Sequence, residues 1–147
     1  MIICYDPGIT TGWASYDSGV FKVGELASLD LAVIYNHITS QYDWNEFTIG
    51  YEDFKHRPQL IHSEMYSLQV IGTIRLWAQL HGQEEPFKYL PATAQAFWTD
   101  DKIKSLSLWT KGKKHAMDAL RVLLKHLMDT DKQWFTSVVE LLRKNGY

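Results

Sequence analysis

The chain has a single cysteine, Cys4, so it can form no internal disulfide and no cysteine-based zinc site. Cys4 lies in the apolar run "MIICY", where a buried, reduced thiol is expected, as suits a cytoplasmic protein. No charge sign dominates: 15 lysines and arginines stand against 17 acidic residues, for a net charge of -2. Nothing global therefore draws the chain to nucleic acid, and any such attraction must come from local patches. No apolar run approaches the roughly 20 residues that cross a bilayer. The opening "MIICY" has no basic start or cleavage site, so no secretory leader and no membrane partner are expected. Internal repeats and low-complexity tracts are also missing. Apolar and aromatic residues are plentiful: 46% of the 147 residues are hydrophobic and six are tryptophan. That favours one well-packed domain over 1–147.

"MIICYD" reads as a buried strand ending at Asp6, and "PGITTG" as turn chemistry. "TGWASYD" and "VFKVGEL" read as two strands joined at "DSG". Helical periodicity runs from about 29 to 42, with Ser28 as N-cap. A fourth strand is expected over 46–54. A long helix over 62–81, closed by Gly82, and a short strand in "PFKYL" follow. Residues 92–108 suggest one or two short helices, "DDKIKSLSLWTKGKK" a basic loop, and 113–128 and 131–144 two final helices. This order predicts an α/β protein with a five-stranded mixed sheet and helices on both faces, the order of ribonuclease H-like folds.

Three acidic positions have chemistry in view. Asp6 ends the first strand, where open α/β sheets place their sites, although a carboxylate there also caps turns. Along "TIGYED", alternation puts Thr48, Gly50 and Glu52 on one face and Asp53 on the other. If the first and fourth strands are parallel neighbours, Asp6 and Glu52 end about 4.8 Å apart. Without a cation such a pair repels, and one member holds a proton. Glu52 alone is equally an exposed strand-end charge. In "KKHAMDALRVLLKHL", Ala116, Leu120, Leu123 and Leu127 form a core stripe. His115 and Asp118 lie off it, three residues apart and side by side. A polar first helical turn gives the same pattern. Combined, these groups form an oxygen-rich set with one imidazole, suited to Mg²⁺ or Mn²⁺.

"DPGITTGWA", "GYEDF" and "HAMDAL", in that order and spacing, resemble the motifs of RuvC-type Holliday junction resolvases, the small phage-like members in particular. The resemblance covers roughly residues 1–127; the last helix has no match in the family core. It implies a metal-dependent endonuclease that resolves four-way junctions, and other branched DNA, by phosphodiester hydrolysis. Asp6, Glu52 and Asp118 would ligate two divalent ions, Asp6 bridging them. His115 would be a fourth ligand or the group that positions or deprotonates the attacking water. The resemblance also implies a homodimer, in the host cytoplasm if phage-encoded, with no organic cofactor. The glycine-rich basic stretch of bacterial members is not evident between 91 and 112.

DNA affinity rests mainly on phosphate neutralisation. Lys102, Lys104, Lys111, Lys113 and Lys114 precede or open the helix bearing His115, and Arg121 and Lys125 follow on it. Lys55, His56 and Arg57 come just after Glu52. Phe54 and Trp109 lie inside these clusters and could stack on an unpaired base, although buried aromatics are commoner. Asp100 and Asp101 oppose the first cluster. The long helix offers a dimer face or simply packs on the sheet. Three other readings compete. "DPGITTG" fits the phosphate loop of sugar kinases and actin-like ATPases, but those need two such domains. A nuclease of ribosomal RNA precursors would carry a Lys-Arg pair after the first Asp-x-Gly. An inactive nucleic-acid-binding relative would not need a complete acidic set.

Overall fold

In a computed structural model of the chain, residues 1–41, 47–54 and 62–147 are described. β1 (Ile2–Asp6), β2 (Thr10–Asp17) and β3 (Val20–Ala27) form an antiparallel meander. Its second turn has φ of 48° at Ser18 and 88° at Gly19. Positive φ at both central residues is what a two-residue hairpin loop requires to match strand twist. α1 (Leu31–Gln41), β4 (Thr48–Glu52), α2 (His62–Leu80) and β5 (Phe87–Tyr89) follow. Two short helices, α3 (Pro91–Gln95) and α4 (Asp100–Ser105), lead to α5 (Lys114–Thr130) and α6 (Lys132–Lys144). The sheet order is β3-β2-β1-β4-β5, with β4 parallel to β1 and β5 parallel to β4. The mixed sheet expected from the sequence is present, with helices on both faces.

Strand alternation divides the core in two. Ile3 and Tyr5 of β1 join Ile49 and Tyr51 of β4 under α1 and α2, which bury Ile34, Ile38, Val70, Ile74 and Trp77. Cys4, a free thiol with no exposed surface, faces the other way with Ala14. That side is covered by α5, whose Ala116, Leu120, Leu123 and Leu127 are buried as their spacing predicts. Each such leucine contributes about 1.5–3 kcal/mol, so α5 is firmly docked. α6 adds Trp134, Phe135, Val138 and Leu142 to the same core. Trp134 meets the rings of Phe21 and Trp98, so this last helix covers α5 and the β3 edge of the sheet.

Several local expectations are corrected. Ser28 does not cap α1. Asp30 does, its Oδ1 accepting from Ala32 N at 2.9 Å, while Ser28 Oγ accepts from Asp30 N. The short helices expected over 92–108 are α3 and α4, and the loop also expected from residue 100 begins only after α4, because Ile103 is fully buried and Thr99 caps the turn by accepting from Lys102 N. α2 ends as expected. Gly82, at φ 63°, allows Gln83 N to donate back to Ala78 O at 2.9 Å. β4 is shorter than expected, stopping at Glu52. Residue 46 at its expected start lies outside the described residues. Among the described residues no helix is long and apolar enough to cross a membrane.

Candidate active site

The parallel register sets Cys4 beside Gly50 and Tyr5 beside Tyr51. One residue further on stand Asp6 and Glu52, at the carboxyl ends of adjacent strands and by alternation on the α5 face. Asp53 has the opposite parity and pairs with Lys88 on β5 at 3.1 Å, which takes it out of the set as expected. The turn after Asp6 is tied down twice. Thr11 Oγ1 donates to Gly8 O at 2.8 Å, and Ser67 Oγ of α2 donates to Pro7 O at 2.8 Å.

α5 reaches the strand ends through two contacts with the meander. Its entry, "KGKK", provides no capping side chain, and Lys113 makes no cap hydrogen bond. Glu25 of β3 replaces the missing cap: its Oε1 accepts from His115 N at 3.1 Å and Ala116 N at 3.4 Å. A carboxylate there also complements the helix dipole. Gly12, the β2 partner of Asp6, lets the first turn of α5 lie directly on the strand. A Cβ at that position would overlap the His115 carbonyl and stand 2.6 Å from Ala116 N. His115 Nδ1 consequently comes to 2.8 Å from Asp6 Oδ2. With its proton on Nδ1, a neutral ring would donate to that carboxylate and leave Nε2 as the free nitrogen.

Asp118 lies one turn along α5, and its Oδ1 accepts from Arg121 Nη1 at 2.5 Å. Arg121 also donates to the Asp100 carboxylate, and through Nε to the Trp98 carbonyl at 3.2 Å. Only 9% of this side chain is exposed. Arg121 therefore holds Asp118 in place and is not the DNA contact its charge suggested. Lys125 is similarly engaged by Asp129.

The site is electrostatically frustrated. Burial, followed by the charges of Asp6 and Asp118, raises Glu52 from 4.5 to about 8, with Arg121 opposing. Burial raises Asp6 from 3.8 to about 6, against the hydrogen bond from His115. At neutral pH Glu52 thus keeps a proton, the outcome expected of two crowded carboxylates. Among the described residues no three His, Cys, Asp or Glu side chains are already gathered as a ligand cluster. Asp118 is drawn toward Arg121, and like charges do not converge without a cation between them. The donor set still fits a hard divalent ion: it is oxygen-rich, partly buried and short of positive charge.

The DNA-contact candidates separate into groups. Phe54 is half-buried and lines the cleft over Asp6 and Glu52. Lys113 and Lys114 are exposed and line a cavity that includes Asp118. Lys111 is exposed in the loop before α5. Lys102 and Lys104 sit on α4 over aromatic rings, 3.7 Å from the Phe97 centroid and 5.0 Å from that of Trp109. Lys55, His56 and Arg57 lie outside the described residues. Glu25, Gly12 and the structural role of Arg121 were not anticipated from the sequence. The one available signal was the capless start of α5, which required a partner from elsewhere.

A five-stranded mixed sheet in this order, with helices on both faces, defines a ribonuclease H-like α/β fold. Two solved structures have that fold. T. thermophilus RuvC in complex with Holliday junction substrate is 16% identical, over 88% of this chain and 98% of that one, with a TM-score of 0.58. A second Thermus thermophilus RuvC structure is 14% identical, over 85% of this chain and 92% of that one, with a TM-score of 0.59. At such identities the likeness carries the fold alone. No protein-family model and no curated protein matches the chain.

Proposed function

We propose that this chain is a RuvC-type, divalent-metal-dependent endonuclease that cleaves branched DNA, four-way junctions above all, as a homodimer. One observation carries the reading. In a ribonuclease H-like fold, Asp6 and Glu52 end adjacent parallel strands, the first turn of α5 brings His115 to Asp6, and Asp118, one turn further on, lines the same cleft as Asp6. The likeness to a RuvC bound to a Holliday junction substrate supports the substrate class.

Asp6, Glu52 and Asp118 are the groups that would hold Mg²⁺ or Mn²⁺, with His115 as the fourth member of the site. Two such ions, when bound, activate a water and stabilise the leaving oxygen of a phosphodiester. The protein supplies the remaining chemistry. Asp6 fixes the His115 ring through Nδ1, and Nε2 is then free to take a proton from the attacking water. Arg121 anchors the Asp118 carboxylate through Oδ1. Phe54, Lys111, Lys113 and Lys114 flank the site and would meet the DNA, the lysines by neutralising phosphates. A second copy would dock on α2, whose Met65 and Leu76 are exposed, so that two sites can nick opposed strands. The buried free thiol of Cys4 is in keeping with a cytoplasmic setting.

The test is a cleavage gel with four-way, flap and duplex DNA in Mg²⁺, Mn²⁺ or chelator. Paired symmetric nicks in the four-way substrate, with 5′-phosphate and 3′-hydroxyl ends, are expected only with metal. Asp6→Asn should bind the junction without cutting it. Full cleavage by that variant, or cleavage in chelator, sinks the reading.

A further inference from the structure

Two cavities open on the strand ends. One lies over Glu52 and Phe54, the other against His115 and Asp118 of α5. Four residues line both, Asp6, Pro7, Glu64 and Ser67, so they form the ridge between the two halves of the cleft. Asp6 belongs to the site already. Glu64, on the first turn of α2, is the other carboxylate on that ridge.

The fold puts Glu64 there by a local device. Ser67 Oγ donates to Pro7 O at 2.8 Å, which pins α2 to the turn after Asp6. Residues three apart on a helix lie side by side, so Glu64 sits one turn back from that pin, on the same face. Two further contacts fix the rotation of α2 about its axis: the Tyr66 hydroxyl donates to Ser28 O at 2.6 Å, and Val70 is fully buried. A glutamate in a first helical turn also complements the helix dipole. That role would be met equally on the outer face, where Met65 is exposed. Glu64 is instead half-buried and borders the cleft.

The donor set leaves work for such a group. Mg²⁺ demands near-octahedral coordination and usually keeps several waters. Asp6, Glu52, Asp118 and His115 cannot fill every position on two ions, so waters complete them. Metal-bound water is acidified and donates strongly, and groups just beyond the ligands set the orientation and affinity of a metal site. We infer that Glu64 is the outer carboxylate of this site, accepting hydrogen bonds from the waters that complete the divalent ions. Its place on the ridge lets one group serve waters on either side of Asp6. The inference rests on the nuclease reading and adds a positioning residue to it.

The test is calorimetric titration of Mn²⁺ into the full chain, without DNA. Glu64→Gln should bind Mn²⁺ about tenfold more weakly than wild type, yet melt within about 2 °C of it in chelator. Glu64→Asp, which keeps the charge and shortens the reach, should fall between the two, and it carries the comparison should Glu64→Gln not fold. Asp53→Asn controls for bulk charge. Asp53 lines one half of the cleft but is paired with Lys88, so its loss should weaken Mn²⁺ binding far less than Glu64→Gln does. The inference is overturned if the Glu64 variants bind Mn²⁺ like wild type, or if Asp53→Asn weakens binding as much as Glu64→Gln. In either case a wild type that binds Mn²⁺ and cuts junctions leaves the nuclease reading standing. Wild type that binds no Mn²⁺ and cuts no branched DNA would overturn the nuclease reading itself, and the role of Glu64 with it.

Discussion

Gly12→Ala should displace the candidate site without touching any of its functional side chains. The new Cβ would overlap the His115 carbonyl and sit 2.6 Å from Ala116 N. Heavy atoms in comfortable contact lie about 3.3–3.5 Å apart or more, and the His115 carbonyl is the tighter overlap, so the first turn of α5 must retreat by well over about 1 Å. Neither neighbour is a flexible side-chain end; both are backbone, and β2 is paired on both edges. Overpacking of this kind costs about 1–3 kcal/mol. For a chain of this length that lowers the melting temperature by roughly 3–12 °C. The retreat would stretch the 2.8 Å contact between His115 and Asp6, and a 1 Å misplacement of reacting groups can cost about 100-fold in rate. The assays are thermal melting in chelator and junction cleavage at saturating metal, well below the melting point. The expected result is a folded variant with about 100-fold less cleavage. A variant that melts and cuts like wild type would mean that the close approach of α5 to β2 does not position the site.

Glu52→Gln should change the pH dependence of stability in the metal-free protein. The folded-state value of Glu52, about 8, lies above its ordinary 4.5, so its stabilising contribution is complete below about 4.5 and is lost as pH rises through about 8. Wild type should therefore lose up to about 4 kcal/mol relative to Glu52→Gln between pH 5 and 8.5, read by urea unfolding in chelator; identical pH profiles would count against the crowded carboxylate pair. Glu25→Ala should cost about 1 kcal/mol through loss of the α5 cap, while Glu25→Gln, which keeps an acceptor oxygen, should cost about half that or less. Equal unfolding midpoints for wild type and Glu25→Ala would remove Glu25 as the cap.

Much of this arrangement was legible in the sequence because it follows from periodicity. Alternation along β1 and β4 gives the facing of Asp6, Glu52 and Asp53, and the leucine stripe gives the buried face of α5. Pairings across long sequence separations left little trace. Glu25 caps a helix 90 residues away, and on a strand it looks like any solvated carboxylate. Arg121 was misread because charge alone does not reveal burial; its partners Asp100 and Trp98 come from other elements. Ser28 and Asp30 are both competent caps, and choosing between them needed the backbone path. α4 falls where short helices were expected, but its lysines also made the stretch read as a basic loop; the buried Ile103 anchors the helix.

These observations bear on how the site would bind a cation. Asp6 and Glu52 end strands held by two separate cores, and α5 is held by its leucines and Glu25. None of that anchoring depends on the carboxylates, so their repulsion cannot push the elements apart. A loosely held pair would relax by moving; a firmly held pair relaxes by keeping a proton, as Glu52 does up to about pH 8. A divalent ion must displace that proton, because ligating carboxylates are ionised. Binding of Mg²⁺ or Mn²⁺ at pH 7 should therefore release about one proton, and affinity should rise by up to about tenfold per pH unit between 6 and 8. Calorimetric titration in two buffers of different ionisation enthalpy measures this directly. Binding with no proton release at pH 7 would mean that Glu52 is already ionised, and that the fold holds the two strand ends less tightly than their register implies.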